Sequence, residues 1–114
     1  MTIRKLKQMT KENFLKYPDA TESIYLALQN SKEGQIEIWK EDKSVHEQGH
    51  TDAFGEGISC YLYTIDKWYI TSVIRKINWD EKYFDTMNSR YYFNFKEYDS
   101  EGENSNSTES SDAN

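Results

Sequence analysis

Residues 57–79 read GISCYLYTIDKWYITSVIRKINW, two runs of β-branched and aromatic side chains broken only by Asp66 and Lys67. Such side chains lose rotamer freedom in a helix and pack well on a pleated surface, so residues 58–65 and 68–77 favour strands. The polar pair between them makes a tight hairpin, even without the favoured glycine. One face of the first strand would carry Ile58, Cys60 and Leu62. The second strand would answer with Ile70 and Ile74, or with Tyr69 and Val73, according to register.

The flanking segments supply shorter elements. Ile3–Gln8 suits a short edge strand, and a turn of helix opens at Thr10 and stops at Pro18. Asp19 and Glu22 have capping-box spacing, and Ile24, Ala27 and Leu28 share one helical face, so the pattern predicts an amphipathic helix over 20–32, stopped by Gly34. QIEIWK then alternates Ile36 and Ile38 with polar neighbours, as a half-buried strand does. Beyond the hairpin, Asp80 can cap a short helix over 81–87. The stretch RYYFNFKEY, 90–98, forms a last strand with Tyr91, Phe93 and Phe95 on one face and Tyr92, Asn94, Lys96 and Tyr98 on the other. Five strands, mostly in hairpins, and two or three short helices make an α+β domain with a small, mostly antiparallel curled sheet or barrel.

The chain ends in DSEGENSNSTESSDAN, which has no aliphatic side chain larger than Ala and cannot offset the entropy of folding. The expected organisation is one domain over 1–98 and a disordered acidic tail over 99–114. That tail takes five of the acids and no Lys or Arg, which leaves −1 of the net −6 for the domain. Within the domain, Arg4, Lys5, Lys7, Lys11 and Lys16 face only Glu12, a local basic segment able to meet phosphate. With Cys60 as the only cysteine, no intramolecular disulfide can form, and a reduced, cytoplasmic setting is expected. The first residues lack the apolar core of a signal peptide, and no segment approaches the roughly 18 apolar residues of a membrane span.

Catalytic motifs are sparse. His46-Glu47-Gln48-Gly49-His50 matches the zinc-protease pattern H-E-x-x-H, with Asp52 or Glu56 near as a third ligand. That pattern works only on a buried helix, and its surroundings are polar and glycine-rich, so a polar loop is the expectation and no metal is assigned. Cys60 stands mid-strand as a small buried hydrophobe. No glycine-rich phosphate loop follows a strand. The reading is a non-enzyme with no catalytic residues and no cofactor.

Seventeen of 114 residues are Phe, Trp or Tyr, and a core this size does not need all nine tyrosines. The second face of the last strand, with Tyr92, Lys96 and the nearby Arg90, has the character of a stacking platform with cationic edges. An RNA-binding reading follows. Arg4, Lys5, Lys7, Lys11 and Lys16 would neutralise phosphates, Tyr92, Tyr98 and Trp68 would stack bases, and Arg90 and Lys96 would edge the platform. The tail would compete with RNA for the basic segment. The RNA-recognition-motif family is excluded, because RYYFNFKEY lacks the glycines that let bases approach its aromatics. Surplus aromatics also anchor protein interfaces, so a non-enzymatic module binding a basic protein surface is the alternative. A minimal zinc hydrolase using His46, Glu47 and His50 is the third reading.

The succession of a leading helix, QIEIWK, the hairpin ISCYLYTI and WYITSVIR, a short helix and a final aromatic strand resembles PUA-like small β-barrels over residues 1–98. More specifically, the chain resembles the PrgU-type regulators of pheromone-responsive conjugative plasmids. The resemblance implies a PUA-like RNA-binding fold and a role in limiting expression of toxic conjugation or adhesin genes, through their transcript. It carries over no individual site residue, and the acidic tail departs from a simple RNA binder.

Overall fold

The computed structural model describes residues 2–96, in which three short helices precede seven strands. The helices are α1 (Ile3–Gln8), α2 (Lys11–Phe14) and α3 (Glu22–Gln29). The strands are β1 (Lys32–Trp39), β2 (His46–Phe54), β3 (Ser59–Tyr63), β4 (Trp68–Val73), β5 (Lys76–Asn78), β6 (Tyr83–Asp85) and β7 (Arg90–Phe95). They form one antiparallel sheet in the order β4-β3-β2-β1-β7-β6-β5. The class is α+β, as expected. Tyr98 and the 99–114 segment lie outside the described residues.

The sheet must curl. Its two outermost strands, β4 and β5, are separated only by Ile74 and Arg75. Three Cα steps span at most about 11 Å, whereas seven strands laid flat would hold those edges roughly 29 Å apart. Backbone bonds continue on both sides of this corner: the Ile74 N–H donates to the Ile58 carbonyl at 2.9 Å and the Arg75 N–H to the Asp85 carbonyl at 2.7 Å. No ladder joins β4 to β5, so the sheet is curled and not closed.

The concave side holds the main core: Ile36, Ile38, Phe54, Cys60, Leu62, Ile74, Ile77, Phe84, Tyr91 and Phe93. Phe54, fully buried, touches the rings of Phe93, Phe95, Phe84 and Trp79 at centroid distances of 4.8 to 5.6 Å. Burial pushes the Cys60 thiol up to about 11, as befits a side chain that packs rather than reacts. A second cluster of Phe14, Leu28 and Ala53, flanked by Ile3, Leu6, Met9 and Ile24, seats the helices on the outer side of β2. Among the described residues no helix is long and apolar enough to cross a membrane.

Several expected elements take a different form. Ile3–Gln8 is a helix, not an edge strand. The Thr2 hydroxyl accepts from the Lys5 N–H at 3.2 Å, and Ile3 and Leu6, three apart, turn to the same cluster. The third helix is shorter than 20–32 and is capped by Thr21, whose hydroxyl accepts from the Ile24 N–H at 3.1 Å. Gly34 does not stop it. The helix ends at Asn30, and Gly34 lies in β1 beside the Phe95 ring with φ 155°. The predicted helix over 81–87 is replaced by β6. The Asn78 side-chain oxygen accepts from the Glu81 N–H at 2.8 Å and Lys82 turns at φ 61°, after which Phe84 points into the core while Tyr83 and Asp85 point out. The five expected strands are therefore seven.

The hairpin forms, with its turn held by the Thr64 N–H donating to the Lys67 carbonyl at 2.9 Å. Its register pairs Leu62 with Tyr69 and Tyr61 with Ile70, then slips before Ser59 meets Val73. Because of that irregularity neither predicted set points inward as a whole. Tyr69, Thr71 and Ile74 turn in, while Ile70 and Val73 stay half-exposed. The polar His46 segment is also no loop; it is the nine-residue strand β2. A side-chain carbon on Gly49 would stand 2.2 Å from the Tyr63 carbonyl oxygen, so here glycine lets two backbones approach.

Candidate nucleic-acid interface

Alternation builds an aromatic row on the outer face of β1, β7 and β6. Ile38, Tyr91, Phe93 and Phe84 are buried, so Trp39, Tyr92 and Tyr83 between them turn outward. The register sets Trp39 opposite Tyr92, and Tyr92 opposite Tyr83. Trp39 and Tyr92 lie nearly parallel, 6.2 Å between centroids and 23° between planes; Tyr92 and Tyr83 meet at 6.3 Å and 66°. All three rings are half-buried.

Cations close the row at both ends. The Arg90 guanidinium lies 3.9 Å over the Tyr83 ring and is fixed by two bonds to Asp85, 2.8 and 3.1 Å. Those bonds hold the Asp85 carboxyl below its ordinary value, so the pair stays charged. At the other end the β1–β2 turn brings Lys40 and Lys43 beside Trp39. The Lys40 ammonium turns to the other side of the sheet, donating to the Ser89 hydroxyl at 3.4 Å and standing 5.8 Å over the buried Tyr91 ring, so Lys43, which makes no ion pair among the described residues, is the cation at this end. A cleft of about 520 Å³ runs along Glu37, Trp39, Lys40, Lys43 and His46, and one of about 380 Å³ between Trp39, Glu41, Lys43 and Tyr92, so each cleft carries an acid beside its lysines. The arrangement offers the Trp39 and Tyr92 rings for stacking, with the Arg90 guanidinium over Tyr83 at one end and Lys43 in the turn at the other.

The residues expected from the sequence do not gather on one surface. Tyr92 and Arg90 belong to the row. Lys96 lies at the far end of the same face, donating to Gln48 at 2.9 Å. Tyr98 is outside the described residues. Trp68 is exposed on β4, four strands away from β7, with its ring edge-on to Tyr63 at 5.5 Å. The N-terminal cations sit on α1, on α2 and in the turn after α2, and are mostly engaged. Arg4 pairs with Glu33 and Asp52, Lys7 donates to the Asp52 carbonyl at 2.8 Å, Lys11 to Glu22 at 2.7 Å and Lys16 to Asn13 at 3.3 Å. Of the five, Lys5 alone has an unengaged side chain among the described residues. Trp39, Tyr83 and Lys43 were missed. Trp39 could have been found by carrying the Glu37 face two residues on, whereas Tyr83 was hidden by the helix predicted there.

The H-E-x-x-H match dissolves in the same geometry. Four residues along a strand put His46 and His50 roughly 13 Å apart, too far for one ion. Glu47 lies on the opposite face and pairs with Lys67 at 3.0 Å, and Glu56 accepts from the Ile77 N–H at 2.8 Å. His46 bonds to Glu37, and His50 to Asp52 at 2.9 Å. Compared with known proteins, the chain matches no family model, no curated protein and no solved structure.

Proposed function

We propose that this chain is a small RNA-binding regulator without a catalytic centre, acting in the cytoplasm to limit expression from a mobile element such as a conjugative plasmid. Its curled antiparallel sheet is then a PUA-like one. The mobile-element role and the PUA-like assignment rest on the sequence resemblance. RNA binding rests on one observation, the Trp39–Tyr92–Tyr83 row with Arg90 stacked at its end. Each base stacked on such a ring is worth about 1 to 3 kcal/mol. Bases in a duplex already stack on each other, so the ligand is single-stranded.

Titration of fluorescent RNA tests this reading. A single-stranded oligonucleotide is expected to bind more tightly than its duplex. The salt dependence is expected to be shallow, with a logarithmic slope of roughly −0.7 if Lys43 supplies the only phosphate contact. Equal affinity for duplex, or no affinity for either, would refute it.

A second reading has its own observation. On the edge strand β4, Trp68, Ile70 and Val73 are 67, 49 and 51% exposed, beside a groove of about 490 Å³ lined by Leu6, Ile24, Tyr61 and Tyr63. Such an edge suits a protein partner. Recovery from extract of one protein that survives nuclease and is lost with Trp68→Ala would favour it.

A further inference from the structure

Glu33, His50 and Asp52 lie together where β1 and β2 slip register. Lys32 pairs with Phe54 and Gly34 with Thr51, so Glu33 stands opposite both Asp52 and Ala53. His50 and Asp52, two apart on a strand, share a face, and the irregularity turns Glu33 onto that face beside them. The His50 Nε2 atom is 2.9 Å from Asp52 Oδ1 and 3.7 Å from Glu33 Oε2, and ligand atoms of all three side chains fall within 4.8 Å of one another. Donors held around a tetrahedral zinc ion at 2.0–2.2 Å stand roughly 3.3 Å apart. The two spacings at His50, 2.9 and 3.7 Å, bracket that value.

Arg4 fills the space where the ion would sit. Its guanidinium Nη2 contacts Glu33 Oε2 and lies 3.4 Å from both Asp52 Oδ1 and His50 Nε2. This arrangement leaves one contact unmet. Arginine only donates, so the Arg4 contact needs a lone pair on His50 Nε2, whereas the contact to Asp52 needs a proton on that same nitrogen. In either tautomer two like groups face each other. A metal ion removes the conflict, since it takes the Nε2 lone pair and the Asp52 oxygen together. Two carboxylates with a neutral imidazole carry −2, met here by the Arg4 guanidinium and by the Lys7 ammonium 2.8 Å from the Asp52 carbonyl oxygen, and a divalent cation can take over the charge that Arg4 supplies. Arg4 can leave, because α1 is six residues long with none buried. The Asp52 side chain is 11% exposed and anchors the floor, while His50 and Glu33, at 31 and 36%, leave one side open for water to complete the coordination.

We propose that Glu33, His50 and Asp52 bind a divalent transition-metal ion, Zn²⁺ or a close neighbour, in exchange for the Arg4 guanidinium. The site is separate from the aromatic row and does not depend on RNA binding. Calorimetric titration of the metal-stripped full chain with Zn²⁺ tests it, with circular dichroism to verify each variant's fold. One ion per chain is expected, with affinity falling by roughly 100-fold or more in His50→Ala. Affinity is expected to rise in Arg4→Ala, where the competing cation is gone; no loss of fold can mimic that gain. His46→Ala should bind as wild type does, and Mg²⁺, which favours all-oxygen sites, should bind far more weakly. Absence of binding in both wild type and Arg4→Ala overturns the proposal. So does binding that survives His50→Ala, requires His46, weakens in Arg4→Ala or is matched by Mg²⁺.

Discussion

Replacing Phe54 by Ala is expected to cost about 3 to 5 kcal/mol of folding stability. Phe54 is fully buried and touches the rings of Trp79, Phe84, Phe93 and Phe95 at 4.8 to 5.6 Å between centroids. It stands at the end of β2, while its neighbours come from the β5–β6 turn, β6 and β7. Truncation would therefore open a cavity where the two halves of the curled sheet meet. A domain of this size is stable by only about 5 to 15 kcal/mol, so the variant should be partly unfolded or should melt at a much lower urea concentration. Phe54→Leu should lose much less, because most of the volume is kept. Urea denaturation followed by tryptophan fluorescence measures both. A loss below about 1 kcal/mol in Phe54→Ala would mean that the site collapses without strain and that Phe54 does not hold the curl.

The double substitution Trp39→Ala, Tyr92→Ala is expected to weaken single-stranded RNA binding by about 100-fold, taking tenfold, or about 1.4 kcal/mol, for each stacked base. Both rings are half-buried on the outer face, so the fold should survive with a small loss of stability. Replacing both by Phe should keep most of the affinity, since stacking needs the ring and not the polar atom. Lys11→Ala serves as the contrast. Its ammonium is held by Glu22 on α3 and lies away from the row, so little change is expected. Anisotropy titration of one labelled oligonucleotide against the four proteins gives the comparison. Equal losses from Lys11→Ala and from the double variant would mean that charge and not stacking holds the RNA.

The parts of the fold legible in the sequence were those in which one period dominates. QIEIWK and RYYFNF alternate cleanly, and both are strands with Ile36, Ile38, Tyr91 and Phe93 inside. Residues 81–87 misled because Tyr83, Phe84 and Met87 fit a helical face, whereas Asn78 and Lys82 fix a turn that only the fold makes visible. The HEQGHTDAF segment looked like a loop because its burial comes from position, between β1 and β3, and not from apolar side chains. The basic N-terminus misled for a related reason. Sequence counts Arg4, Lys7 and Lys11 as free charge, while long-range packing gives them Glu33, Asp52 and Glu22 as partners. Of the interface, Tyr92 and Arg90 could be read from alternation. The row itself could not, because Trp39 and Tyr83 join it only through strand order and register.

The central claim is that RNA lies on the outer face of β1, β7 and β6. Ultraviolet cross-linking of the full chain to single-stranded RNA, with the modified peptides mapped by mass spectrometry, tests it most directly. Cross-links at Trp39, Tyr92 and Tyr83 are the expected result. Cross-links confined to Trp68 and Tyr63 on the opposite part of the sheet, or none at all, would contradict it.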